Sequence, residues 1–170
     1  MSDPPTGPLF HGGAPGLKLG DLVRSAYELG VVSVSGASGA PYRSDRVYLT
    51  TSLDCAEHYA GVFLPQTVWD DIHHKRQPDP MAHRWGASIY EVDTDGPLVL
   101  DADHDDGFSW EAPVARVIRL VQAVVSPNLA AIGFPDAKVP LVTRSTDGAP
   151  GANQPCFCGS QRKYKRCHGG

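Results

Sequence analysis

The chain has 170 residues, 41% of them hydrophobic, with a formal net charge of −4. That length suits one compact domain with a small appendage, and the apolar fraction is enough for a true core. No apolar run approaches the roughly eighteen residues of a membrane span, and Met1-Ser2-Asp3-Pro4-Pro5 lacks the basic and apolar regions of a signal peptide, so a cytoplasmic location is expected.

In chain order, Pro8-Leu9-Phe10-His11 reads as a short strand ended by Gly12-Gly13. Leu22, Ala26 and Leu29 give residues 19–29 helical spacing, closed by Gly30. Residues 31–34 extend as a short strand, 35–44 form a loop of small residues, and 46–50 are β-prone. Ser52 or Thr51 offers a cap to a helix over 53–63. Residues 65–84 are polar and broken by proline, with a short helix expected at 67–74. Residues 87–92 alternate as a strand, and Gly96-Pro97 turns the chain into a second strand at 98–101. Residues 113–125 are long and rich in Val and Ile, as one central strand or two joined ones. Residues 146–153 have linker composition and divide a main domain, 1–145, from a tail, 154–170. Many strands and few helices predict an α+β fold with a two-sheet β core and a few flanking helices, rather than an alternating α/β fold.

The tail holds Cys156, Cys158, Cys167 and His168. Three thiols and an imidazole make a complete tetrahedral zinc set, and about twenty residues cannot fold without such a staple. Disulfides would leave an odd cysteine, and nothing marks the chain as secreted. With four donors present there is no open position, so the zinc is expected to be structural, in a small C-terminal knuckle. Cys156-x-Cys158-Gly159-Ser160, then Lys163-Tyr164 and Cys167-His168-Gly169, resembles the SEC-C zinc motif, with Phe157 where the family often has proline. The last twenty residues carry Arg162, Lys163, Lys165 and Arg166 and no acid, leaving 11 basic and 19 acidic side chains, or −8, in the rest. An acidic partner, protein or nucleic acid, and plain solvated surface are both open readings of that tail.

Catalytic candidates stand in the main domain. The blocks are Leu9-Phe10-His11-Gly12-Gly13, Leu17-Lys18-Leu19-Gly20-Asp21-Leu22, Val47-Tyr48-Leu49-Thr50-x-Ser52-Leu53-Asp54, and Ile89-Tyr90-Glu91-Val92 followed by Gly96-Pro97 and Asp101. In this order they resemble the rifampin ADP-ribosyltransferase family, a compact branch of the ADP-ribosyltransferases with a His-Tyr-Asp set. The resemblance implies an ADP-ribosyltransferase-like core that takes NAD as substrate. It implies that His11 bonds a ribose hydroxyl on the adenosine side and that Tyr48 stacks on the nicotinamide. Asp101 would accept from the nicotinamide ribose near the emerging cation, and Gly12 and Gly13 would admit the ligand. Thr50 and Ser52 complete the expected cofactor-binding set. Cleaving the nicotinamide–ribose bond leaves an oxocarbenium-like ribosyl cation, so holding NAD bent and stabilising positive charge matter more than acid help.

The chain departs from that family after Asp101, where 107–114 is short, and in an insertion around 69–84 that reads as a lid, an acceptor surface or a surface excursion. Rifampin as acceptor is therefore in question. Glu111 is a further catalytic candidate, to orient NAD or deprotonate the acceptor; an exposed glutamate at a strand start is the plain alternative. Residues 101–106 also read as a solvated loop or a weak divalent-metal site. The leading expectation is NAD-dependent mono-ADP-ribosyl transfer to a rifamycin-like antibiotic, a protein or a nucleic acid. The alternatives are NAD hydrolysis, and a non-catalytic NAD-binding or SEC-C adaptor. No membrane partner is expected.

Overall fold

Alternation of side chains decides how the strands stack. In β1 (Leu9–Gly13), Leu9 joins one apolar cluster and Phe10 the other, because successive residues point to opposite faces. The computed structural model describes residues 5–29, 43–101, 107–142, 144, 148–156 and 162–166. The other strands are β2 (Leu22–Val23), β3 (Val47–Thr50), β4 (Ala87–Asp93), β5 (Val99–Leu100), β6 (Ser109–Ala112) and β7 (Ala115–Val125). They form one antiparallel sheet in the order β2-β7-β4-β1-β3-β6-β5. With α1 (Ala26–Leu29), α2 (Leu53–Gly61) and α3 (Gln66–His73), this is a mixed α+β fold of one sheet and few helices. No helix among the described residues is long and apolar enough to cross a membrane.

The expected pair of sheets is corrected to one sheet in two halves. β1 pairs with β4 at five positions, from Leu9↔Val92 to Gly13↔Ser88. β3 pairs with β6 at four, from Val47↔Ala112 to Thr50↔Ser109. Between the halves β1 and β3 pair at Phe10↔Thr50 alone. The larger cluster joins Leu9, Tyr90, Val92 and Val117 to Val47, Leu49 and Trp110, so one face of the sheet has a continuous core across that junction. The second cluster lies on the other face, where Ala56 and Ala60 of α2 pack on Phe10, Ile89 and Val125.

Helix α2 starts where the sequence offered a cap: the Ser52 Oγ accepts from Cys55 N–H at 3.3 Å. Its approach to the sheet depends on Gly12, whose added Cβ would stand 2.1 Å from the Ala56 carbonyl oxygen. The helix expected over 19–29 is reduced to α1, because Leu22 and Val23 pair with Arg116 and Ala115 of β7 instead. The strand expected at 31–34 lies outside the described residues. Strand β6 was not anticipated; it is short, and its alternation covers only Ser109, Trp110, Glu111 and Ala112.

Candidate functional site

Tyr48 and Glu111 are cross-strand partners on β3 and β6. The Asp101 N–H donates to Ser109 O at 3.0 Å, continuing the pairing of β5 with β6 one residue further. Ser109 lies two residues before Glu111 on β6, so alternation puts Tyr48, Glu111, Ser109, Asp101 and Thr50 on one face of the smaller half-sheet. That is the face α2 covers on the other half, as the Phe10↔Thr50 pair shows. Asp101 is 4% exposed and Glu111 6%, so two carboxyl groups are sunk into this face. Ser109 Oγ donates to Asp101 Oδ2 at 3.0 Å and fixes its orientation.

Glu111 is thus buried inside a strand rather than exposed at its start. Burial pushes its pKa up, the nearby Arg43 guanidinium pulls it down, and the Asp101 carboxyl raises it again. Arg43 Nη1 stands 3.6 Å from Glu111 Oε2, and the Arg43 main-chain N–H donates to the Tyr48 hydroxyl at 2.9 Å.

His11 approaches from the other half-sheet. By alternation its side chain leaves β1 on the Leu9 face, opposite Phe10. Its Nδ1 lies 3.1 Å from the main-chain carbonyl of Tyr48, so it meets Tyr48 through the backbone rather than the ring. A carbonyl only accepts, so Nδ1 carries the proton. Burial lowers the pKa of the ring, against a smaller rise from this hydrogen bond, and the neutral ring presents Nε2 as an acceptor. A Cβ at position 13 would lie 2.7 Å from Nε2. Gly13 therefore keeps the acceptor nitrogen clear, while Gly12 serves helix packing.

Thr50 and Ser52 act locally: Thr50 Oγ1 accepts from Ser52 N–H at 3.0 Å, and Ser52 caps α2. Arg43 and Ser109 escaped the reading of the sequence. Ser109 left a faint signal in the polar–apolar alternation of β6, and Arg43 left none. Residues 102–106, which carry the rest of the acidic run read as a solvated loop or a weak divalent-metal site, lie outside the described residues. A separate open cavity of about 280 Å³ between α2 and the end of β7 is lined by Glu57, His58, Gln122 and Asn128, and holds none of the catalytic candidates.

In the tail, Cys156 N–H donates to Arg162 O and Tyr164 N–H to Gln154 O, both at 2.7 Å, and Pro155 pairs with Lys163. This pairing sets residues 154–156, with the expected zinc donor Cys156, beside residues 162–164. Cys156 is 0% exposed and Tyr164 9%, a small interior for so short a segment. The donor chemistry and the hairpin fit a zinc ion. Cys158, Cys167 and His168 lie outside the described residues. Before the hairpin, Arg144 pairs with Pro150 and donates from Nη2 to Ala87 O at 3.0 Å, tying this stretch to the start of β4.

The SEC-C motif model matches residues 153–170. The motif is shared with the protein translocase subunit SecA of Koribacter versatilis (strain Ellin345), to which the chain is 58% identical over 42 residues. That stretch is 25% of this chain and 4% of the translocase subunit. The motif match is confined to residues 153–170, and the 42-residue match is longer than the tail.

Proposed function

We propose that the main domain is an NAD-dependent mono-ADP-ribosyltransferase, cleaving the nicotinamide–ribose bond and passing ADP-ribose to an acceptor nucleophile. The observation that carries this reading is the pair of buried carboxyl groups, Asp101 and Glu111, on the face that also holds Tyr48, beside the single-pair junction where His11 stands. A buried carboxylate is costly to keep and effective against a developing positive charge, because the surroundings screen it poorly. The reaction develops such a charge at the ribose.

This reading gives each residue a role. His11 is neutral with Nε2 as acceptor, which suits a ribose hydroxyl. The Tyr48 ring shares the carboxylates' face, where a planar cation would stack on it. Asp101, held by Ser109, accepts from hydroxyls of the nicotinamide ribose and faces the emerging cation. Glu111 orients NAD or takes the acceptor's proton; its burial raises its pKa, which strengthens it as a base. Zinc, held by Cys156, Cys158, Cys167 and His168, supplies folding energy to the SEC-C tail. The tail then serves to place the enzyme against an acidic or macromolecular partner in the cytoplasm.

A second reading is a non-catalytic adaptor with the SEC-C tail as its working part, favoured by the motif match at 153–170. Incubation with NAD labelled in the adenylate half separates the readings. Labelled acceptor together with free nicotinamide supports transfer, and free ADP-ribose as the main product points to hydrolysis. Unchanged NAD from zinc-loaded, folded protein in the presence of candidate acceptors would remove the enzyme reading.

A further inference from the structure

The segment entering β3 carries a residue that neither the motif match nor the expected His-Tyr-Asp set includes. Arg43 touches both central groups at once. Its main-chain N–H donates to the Tyr48 hydroxyl at 2.9 Å, and its Nη1 stands 3.6 Å from Glu111 Oε2. Its Nη2 is 3.3 Å from Asp45 Oδ2, which steadies the guanidinium from the solvent side.

We propose that Arg43 is a positioning residue: its main-chain N–H ties the Tyr48 hydroxyl to the segment entering β3, and its guanidinium holds the buried Glu111 carboxylate in place. The catalytic consequence rests on the ADP-ribosyltransferase reading, whereas the link between Arg43 and Glu111 does not.

Among the described residues, the groups facing Glu111 come from β3, from beyond β5 and from the segment before β3. Tyr48 faces it from β3 as its cross-strand partner. Asp101, beyond β5, adds like charge. Arg43, Asp45 and Arg46 approach from the segment before β3, with Arg46 Nε 3.8 Å from Asp45 Oδ2. Burial and Asp101 both oppose ionisation of Glu111, and Arg43 is the largest influence in the other direction. The Glu111 side chain is 8% exposed and that of Arg43 44%. The cation therefore sits where solvent stabilises it, while its field reaches a carboxylate that solvent does not. An arrangement of this kind opposes protonation of a buried carboxylate without burying its partner.

The two links separate by mutation. Arg43→Gln removes the guanidinium and retains the main-chain N–H to Tyr48. Arg43→Lys retains a positive charge. Loss of the cation raises the proton affinity of Glu111, so its ionised form is lost at a higher pH. Carbon-13 labelling of the glutamate side chains, with Glu111→Gln to assign the signal, reads that titration by NMR without any substrate. Alongside, nicotinamide release from NAD is measured across pH.

The expected result is that Arg43→Gln moves the Glu111 titration to higher pH and Arg43→Lys returns most of it. The acid limb of the rate profile then moves the same way, with a loss of roughly tenfold at pH 5 and a smaller loss at pH 8. An unchanged Glu111 titration in folded Arg43→Gln would overturn the proposal. A moved titration with no nicotinamide release at any pH, in the wild type as in the variants, would support the Arg43–Glu111 link and overturn the transferase reading.

Discussion

The imidazole of His11 hydrogen-bonds the main-chain carbonyl of Tyr48 at the point where β1 and β3 cease to pair. Continued antiparallel pairing from Phe10↔Thr50 would set Gly12 against Tyr48, with strand N–H groups serving the carbonyls there. A side chain serves the Tyr48 carbonyl instead. That contact coincides with the end of the ladder between the two half-sheets and fixes the histidine tautomer, and a Cβ at Gly13 would stand 2.7 Å from Nε2.

The adjacent glycines should therefore fail differently. Gly12→Ala drives a methyl against the Ala56 carbonyl of α2, which is backbone and cannot step aside. Chemical denaturation should show a loss of about 1–3 kcal/mol or more. Gly13→Ala presses on His11 Nε2 instead and should cost less stability while impairing NAD binding. Gly7→Ala, with nothing within 4 Å of the added Cβ, is the neutral control. Equal stability of the Gly12 and Gly7 variants would contradict the packing of α2 on β1.

Acid should weaken the fold through its buried histidines. Burial lowers the pKa of His11 and of His83, so the unfolded chain takes up protons that the folded one refuses. Their contribution is whole above the unfolded value of 6.5 and is lost as pH falls from there through the folded values. Glu111 acts with the opposite sign: its raised pKa makes the folded state hold a proton, so its contribution falls as pH rises from 4.5 through the folded value. His83 lies away from the candidate site, edge-on to Phe134 with ring centroids 5.7 Å apart, and its Nε2 is buried with no hydrogen-bond partner among the described residues. His83→Leu should flatten the stability–pH curve below pH 6.5 by at most about one proton, or ~1.4 kcal/mol per pH unit. Unfolding curves across that range provide the check, and an unaltered slope would count against a buried neutral His83.

Much of this architecture was legible in the sequence because it is written in local alternation and capping. Strands β1, β3, β4 and β7 and the Ser52 cap of α2 lie where periodicity puts them. What was illegible depends on distant partners. Leu22 and Val23 have helical spacing with their neighbours but are taken by the edge of β7, which offers unpaired backbone groups. The halves of the sheet are joined by a single pair, a fact no window of sequence contains. At the candidate site, His11, Tyr48 and Asp101 stand out by the family resemblance of the blocks around them, and Glu111 by its place before a late strand, rather than by their residue types. That His11 meets Tyr48 through a carbonyl, and that Arg43 links Tyr48 to Glu111, required the fold.

The tail should come away cleanly at one place and not at another. Cys158→Ser should release zinc and unfold the hairpin while the sheet keeps its melting transition and nicotinamide release stays largely intact. Truncation after Gly151 should behave alike. Truncation after Val142 also removes Arg144, which is 8% exposed and bonded to Ala87 O, and should lower the melting temperature of the body. Identical melting of the two truncations would show that Arg144 does not anchor this stretch to β4.

The most direct test of the central claim is the rate of nicotinamide release by wild type and Asp101→Ala at matched NAD occupancy. The account predicts steady release by the wild type, and a loss of at least about a hundredfold in the variant while NAD still binds, because Asp101 acts on the charge that develops in the transition state. Equal rates in the two proteins, or a variant that loses NAD binding and turnover in the same proportion, would contradict it.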